Sequence, residues 1–222
     1  IGPAPATSVS CWTGLLRLLG ARGDPPSVQT VLVDMDGVLC DLELHFLNRW
    51  RAAYPDAKWL HLHERRTHYL DRDPSGVYDP PRVSSIVTAP GFFESMPPVE
   101  GAVEALKELD RVPGVHARIC TAPLGATPEA MEQCRLEKLV WVRRELGERW
   151  TCDDKFMCTK DKTVVPGVLL IDDKPSPDVH AKHAAGASPS WRHVVFTQPY
   201  NKEDPACEGK ARLDAWSQWR AV

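Results

Sequence analysis

Two rhythms of hydrophobic and polar positions divide the chain. Short apolar runs bounded by turn residues recur at about 29–34, 115–121, 156–159, 168–173 and 194–197. The first is Thr30-Val31-Leu32-Val33, and the fourth is Val168-Leu169-Leu170-Ile171. Continuous apolar runs of this length predict strands buried on both faces. Between them the spacing becomes helical. Val99, Val103, Leu106 and Leu109 mark one face of a helix that stops at Pro113-Gly114. A longer helix over about 128–146 turns Met131, Cys134, Leu139, Val142 and Leu146 inward. Another follows Asp41, with Leu44, Leu47, Trp50 and Arg51 along it. The C-terminus, with Leu213, Trp216 and Trp219, predicts a short helix closing on the core. Strands that alternate with helices predict an α/β fold, a parallel sheet with helices on both faces.

One stretch interrupts this alternation. Residues 42–97 carry helical segments, Pro-rich breaks and aromatics, but no buried strand. They read as a helical cap inserted into a core formed by 28–41 and 98–222. Residues 1–27 fall outside that core. They hold Arg17 and Arg22, no acid before Asp24, and the stripe Trp12, Leu15, Leu16, Leu19. This composition suits a mitochondrial presequence, with a disordered tail as the alternative. Ile1 in place of Met is what a missing or processed start would leave.

Composition narrows the class. A chain of 222 residues with 43% hydrophobic content can bury an ordinary core. Its net charge of −3 offers no basic footprint for a nucleic-acid polymer. No apolar run is long enough to span a membrane. The seven cysteines are scattered, without a C-x-x-C pair, as in proteins of reducing compartments. His61, His63 and His68 lie close together, but no further ligands follow at zinc-site spacing, so they read as surface or pocket histidines.

Candidate chemistry gathers at the strand ends. Asp34 and Asp36 close the first strand, and Gly37 permits a sharp turn after them. Thr121 ends the second strand, Lys162 lies in a later loop, and Asp172-Asp173 end the fourth. In a parallel sheet these ends share one edge, where ligands bind. Carboxylates there suit a hard cation such as Mg²⁺, which keeps water and phosphate oxygens as its other ligands. A lysine suits a phosphate oxygen as a point charge, and the Thr121 hydroxyl can donate to another. An Asp-x-Asp-Gly sequence also occurs in calcium loops.

Together, Asp34-Met35-Asp36-Gly37-Val38, Thr121, Lys162 and Asp172-Asp173 resemble the four motifs of the haloacid dehalogenase-like phosphatases. The match extends further. Ile119-Cys120-Thr121-Ala122-Pro123, Asp161-Lys162-Thr163, Pro189-Ser190-Trp191, Arg65-Arg66, Gly91-Phe92-Phe93 and the ending around Trp216 and Trp219 resemble the 5'(3')-deoxyribonucleotidases over about 29–220. The resemblance implies a Rossmann-like core with a cap. It also implies Mg²⁺-dependent hydrolysis of deoxyribonucleoside monophosphates such as dUMP and dTMP. In that scheme Asp34 is the nucleophile and Asp36 the proton donor. Thr121, Ala122 and Lys162 bind phosphate. Asp34, Asp36 and Asp173 hold the metal, and Asp172 supports them. The family further implies a homodimer with small-molecule nucleotide substrates and no membrane. Its members are cytosolic or mitochondrial, and the N-terminal leader favours the mitochondrial matrix, with the cytoplasm as alternative.

The departures fall on the substrate pocket. Leu42 and Val87 stand where the family has aromatics. Thr67-His68-Tyr69-Leu70 replaces a lid segment in which His68 takes the place of a ring and Tyr69 keeps one. Ala122 replaces a serine, Lys160 an arginine, and a few extra residues lie near 125–134. Two other readings therefore stand beside the nucleotidase. One is a phosphatase for a different small phosphomonoester, and the other is a catalytically silent binding protein on the same fold.

Overall fold

The computed structural model describes residues 28–177 and 188–220. The leader proposed over 1–27 lies outside the described residues. Six strands form one sheet: β1 Gln29–Val33, β2 Val115–Thr121, β3 Phe156–Cys158, β4 Leu169–Asp172, β5 Arg192–Phe196 and β6 Ala211–Leu213. Their spatial order is β3-β2-β1-β4-β5-β6. Every pair is parallel, with Val33 opposite Ile119 of β2 and Ile171 of β4. β6 corrects the sequence reading. Its three residues carry one buried side chain, Leu213, so no apolar run announces it.

The central strand shows why its sequence is apolar throughout. Val31 and Val33 face the main core, while Leu32 faces a second cluster with Cys120, Val165, Leu170 and Trp191. A strand buried on both faces has no polar side to alternate with. Among the described residues four α-helices accompany the sheet: α1 Leu42–Ala53, α2 Pro80–Val87, α3 Ala102–Leu109 and α4 Pro128–Leu146. Residues of all four contribute to the main core. The crossover from β4 to β5 includes 178–187, which lie outside the described residues.

Local chemistry fixes the helix starts. Asp41 accepts from the Leu44 amide at 3.0 Å, Asp79 from Arg82 at 3.1 Å and Thr127 from Ala130 at 3.2 Å. Each side chain satisfies an amide that the first helical turn leaves open. α3 buries Val103, Leu106 and Leu109 as its spacing predicts. The inner faces of α1 and α4 differ from expectation. α1 buries Glu43, Phe46, Leu47 and Trp50 and leaves Leu44 exposed. α4 buries Glu137, Lys138 and Trp141 beside Cys134, Val142 and Leu146, with Met131 and Leu139 only partly covered.

Residues 42–97 contain α1, α2 and two 3₁₀ turns, Leu62–Glu64 and Leu70–Arg72, and no strand among them. Their ties to the rest are specific. The Glu137 carboxylate of α4 accepts from the amides of Gly91 at 2.8 Å and Phe93 at 3.0 Å. Trp141 Nε1 donates to the Met96 carbonyl at 2.8 Å. Inside the segment, Arg65 is 2% exposed and pairs with Glu43 of α1 at 2.9 Å and with Asp73 at 3.3 Å. Among the described residues, no helix is long and apolar enough to cross a membrane.

Candidate active site

β1 and β4 are neighbours, and the order of strands runs outward from them in opposite directions. At such a switch point the crossovers diverge and leave a crevice beyond the carboxyl ends. Asp34 follows β1 directly, Asp172 is the last residue of β4, and Thr121 is the last of β2. Lys162 opens the 3₁₀ turn Lys162–Val164 between β3 and β4. The topology thus gathers residues that sequence separates widely.

Asp34, Asp172 and Asp173 each place a carboxylate oxygen within 4.8 Å of the other two. Lys162 Nζ sits between two of them, 2.7 Å from Asp34 Oδ1 and 2.6 Å from Asp172 Oδ2. The other Asp172 oxygen accepts from the Lys174 amide at 2.8 Å. Both Asp172 oxygens are therefore engaged. Asp173 differs. Its Oδ2 accepts from the Tyr200 hydroxyl and lies 3.4 Å from His68 Nδ1, whereas its Oδ1 is buried with no partner. A buried carboxylate oxygen without a donor is costly, and a cation relieves that cost.

Electrostatics point the same way. Burial pushes the Asp34 carboxyl up to about 7, against the pull of Lys162, with Asp172, Asp173 and Asp36 adding to the rise. Asp173 moves in the other direction. Burial raises it, but His68 and Tyr200 outweigh burial and hold it below the usual range. Four carboxylates here face two buried ammonium groups, those of Lys162 and Lys138. The residues present suit a divalent cation held by oxygen ligands, with Asp34 and Asp173 the carboxylates best placed to bind it.

Asp36 is directed elsewhere. Its Oδ2 pairs with Lys138 Nζ at 2.6 Å. The same ammonium donates to Thr121 Oγ1 and to the Ala122 carbonyl, each at 2.8 Å. Lys138 is fully buried; burial opposes its charge, but Asp36 and its other neighbours raise its pKa. Sequence reading missed this residue. The signal was its position on α4, four residues after Cys134 and four before Val142, where a lysine interrupts an inward stripe.

Gly37 has φ +72°, and a Cβ there would meet Asp173 Oδ2 at 2.9 Å and the Tyr200 hydroxyl at 3.3 Å. Only glycine lets these loops approach so closely. Sequence reading also missed the 3₁₀ turn Pro199–Asn201, where Gln198, Tyr200 and Asn201 all contact the site.

The pocket candidates divide. His68 reaches Asp173, and Tyr69 packs edge-on to His68 with ring centroids 5.1 Å apart. The Lys174 ammonium lies 5.7 Å from the Tyr69 ring. Leu42 and Val87 are partly buried against the main core. Ala122 joins the site through its carbonyl, which holds Lys138. His61 and His63 stack on one another at 5.4 Å, and both are exposed.

Comparison with known proteins fits this geometry. The profile of the family described as "5' nucleotidase, deoxy (Pyrimidine), cytosolic type C protein" matches residues 27–221. The chain belongs to this family. A protein of Bordetella pertussis named "Putative 5'(3')-deoxyribonucleotidase" is 40% identical over 195 residues, covering 86% of this chain and 94% of its own. The human cytosolic 5'(3')-deoxyribonucleotidase is 36% identical over 196 residues, 86% of this chain and 92% of that one. The human mitochondrial form is 36% identical over 214 residues, 94% and 86% respectively. A HAD family hydrolase from Deinococcus radiodurans R1, solved with phosphate and sodium, superposes with a TM-score of 0.55 at 19% identity. The match covers 89% of this chain and 95% of that one. The sheet is the α/β core of the haloacid dehalogenase-like hydrolases, and the family member is a phosphoric monoester hydrolase of the nucleotidase type with small-molecule nucleotide substrates.

Proposed function

We propose that this nucleotidase hydrolyses deoxyribonucleoside monophosphates, dUMP and dTMP foremost, to nucleoside and phosphate with Mg²⁺ as cofactor. The observation that carries the reading is the cluster of the Asp34, Asp172 and Asp173 carboxylates beside Lys162 at the β1–β4 switch point, with Asp173 Oδ1 buried and unpartnered. Mg²⁺ would be held by Asp34, Asp173 and the main chain of Asp36. Its chemistry is to neutralise the repulsion between a carboxylate and a phosphate dianion.

The residues then divide the reaction. An Asp34 oxygen attacks phosphorus, and the P–O bond to the sugar breaks, leaving an aspartyl-phosphate. Asp36 gives its proton to the departing deoxyribose oxygen. Water next attacks the phosphorus, Asp36 takes the water's proton, and the bond to Asp34 breaks to release phosphate. Acid–base help of this kind contributes roughly 10²–10⁴-fold. Lys162, Thr121 and the backbone at Ala122 hold phosphate oxygens, and Lys138 orients Asp36 against Thr121. Residues 42–97 act as a lid whose His68 and Tyr69 face the cluster, with Leu42 and Val87 as apolar walls. Each base–aromatic stack is worth roughly 1–3 kcal/mol, so apolar walls should bind a pyrimidine more loosely and raise KM.

His68 favours a second reading, a phosphatase for another small phosphomonoester, because it turns a polar ring toward the cluster. Phosphate release from dUMP, dTMP, UMP and a sugar phosphate with Mg²⁺ separates the two. A higher kcat/KM for the sugar phosphate overturns the nucleotidase preference. A homodimer and a mitochondrial location complete the proposal. Relatives include cytosolic and mitochondrial forms, so a tagged full-length chain must be localised directly.

A further inference from the structure

We propose that Tyr200 is a positioning residue that leaves Asp173 one oxygen to offer the cation, and so sets which divalent ion the site prefers. The proposal rests on the metal-dependent reading above. Three observations carry it. First, the two Asp173 oxygens are unequal: Tyr200 donates to Oδ2, while Oδ1 is buried and has no partner. Second, the turn bearing Tyr200 grips both halves of the site. Gln198 Nε2 donates to the Gly37 carbonyl at 2.6 Å, and Asn201 Nδ2 donates to the Asp173 carbonyl at 2.7 Å and to the Phe196 carbonyl at 2.8 Å. Asp173 is thus held through its backbone and its side chain by adjacent residues. Third, Gly37 lacks the Cβ that would collide with Asp173 Oδ2 and crowd the Tyr200 hydroxyl. The close approach is built into three separate loops.

The chemistry follows from ligand counting. Mg²⁺ demands a small octahedron and takes one oxygen from each carboxylate. Ca²⁺ accepts six to eight ligands and readily takes both oxygens of one carboxylate. A hydrogen bond on Oδ2 removes the second oxygen from use. The Tyr200 hydroxyl donates to Oδ2 and is buried with it. His68 approaches the same oxygen, Oδ2, at 3.4 Å and reinforces the asymmetry. Without the hydroxyl, Asp173 is free to rotate and offer both oxygens. Mg²⁺ loses its oriented ligand, and Ca²⁺ gains one.

The test uses the full chain, stripped of metal with EDTA, and measures melting against added Mg²⁺ alone or Ca²⁺ alone. Ions that bind only the folded state raise Tm in proportion to their affinity. Removing a partner that orients a ligand typically weakens metal binding by about 10–100-fold. Tyr200→Phe should therefore lose at least about tenfold in Mg²⁺ affinity while Ca²⁺ binding holds or tightens. Gln198→Ala loosens the same turn but keeps the hydroxyl, and it should retain the wild-type ion preference. An unchanged Mg²⁺-to-Ca²⁺ ratio in folded Tyr200→Phe overturns the proposal. If Tyr200→Phe does not fold, loss of the preference in Gln198→Ala overturns it, because turn integrity and not the hydroxyl would then set the ratio. If the wild type responds to neither ion, the metal reading itself fails and the role of Tyr200 with it.

Discussion

Lys138→Met tests the part of the site that no motif announces. The substitution keeps length and apolar volume and removes the ammonium. Lys138 makes three polar contacts, to Asp36 Oδ2 at 2.6 Å and to Thr121 Oγ1 and the Ala122 carbonyl at 2.8 Å. Removing one partner of a buried ion pair costs about 3–5 kcal/mol, because the other charge is left uncompensated. The Asp36 side chain retains 18% of its exposure, so water relieves part of that penalty. The low end, about 3 kcal/mol, is therefore expected. For a chain of this size each kcal/mol moves Tm by about 2–4 °C, which gives a fall of about 6–12 °C. Turnover should fall at least about a hundredfold, since the acid–base carboxylate and the Thr121 hydroxyl both lose their anchor. Thermal melting and steady-state phosphate release measure the two effects. A double-mutant cycle with Asp36→Asn should return a coupling of about 1–3 kcal/mol. A Tm drop under about 2 °C together with strict additivity in the cycle would refute the reasoning, because Lys138 would then contribute no more than a surface pair.

Three further outcomes are expected. Asp34→Asn should abolish turnover yet fold normally, since an amide cannot attack phosphorus; normal phosphate release by the purified variant would sink the covalent mechanism. Arg65→Met strands the buried Glu43 and Asp73 carboxylates and should cost about 3–5 kcal/mol in chemical denaturation; a loss below about 1 kcal/mol, the usual scale of a surface pair, would show that the triad does not hold residues 42–97 together. His193 sits below its ordinary pKa of 6.5, through burial and the Lys210 ammonium beside Nδ1, while its Nε2 donates to the Asp172 carbonyl. The unfolded chain therefore takes up this proton first, so its stabilisation is complete above about pH 6.5 and fades as pH falls through the lower folded-state value. His193→Gln should flatten that part of the stability profile, and identical pH slopes for the two proteins would count against it.

Five of the six strands, and the polar edge where they end, could be read directly from the residues. Val31-Leu32-Val33 and Leu169-Leu170-Ile171 are apolar without alternation because both faces are covered, and the switch to carboxylates marks where each strand leaves the core. Asp34, Asp36, Thr121, Lys162, Asp172 and Asp173 were legible for the same reason: each sits at or near a strand end or in an adjoining loop. What periodicity reads is hydrophobicity, so it was blind to polar groups buried by their partners. Glu137 and Lys138 occupy inward positions of α4 because Gly91, Phe93 and Asp36 meet them there, and those partners lie 44 to 102 residues away. β6 escaped notice because a three-residue edge strand buries one side chain. Tyr200 and Asn201 look like ordinary turn residues until the fold brings Asp173 and Gly37 against them. Local sequence sets which residues can end a strand or face a core, but which of two carboxylate oxygens stays open is decided only when separate loops close on the same few ångströms.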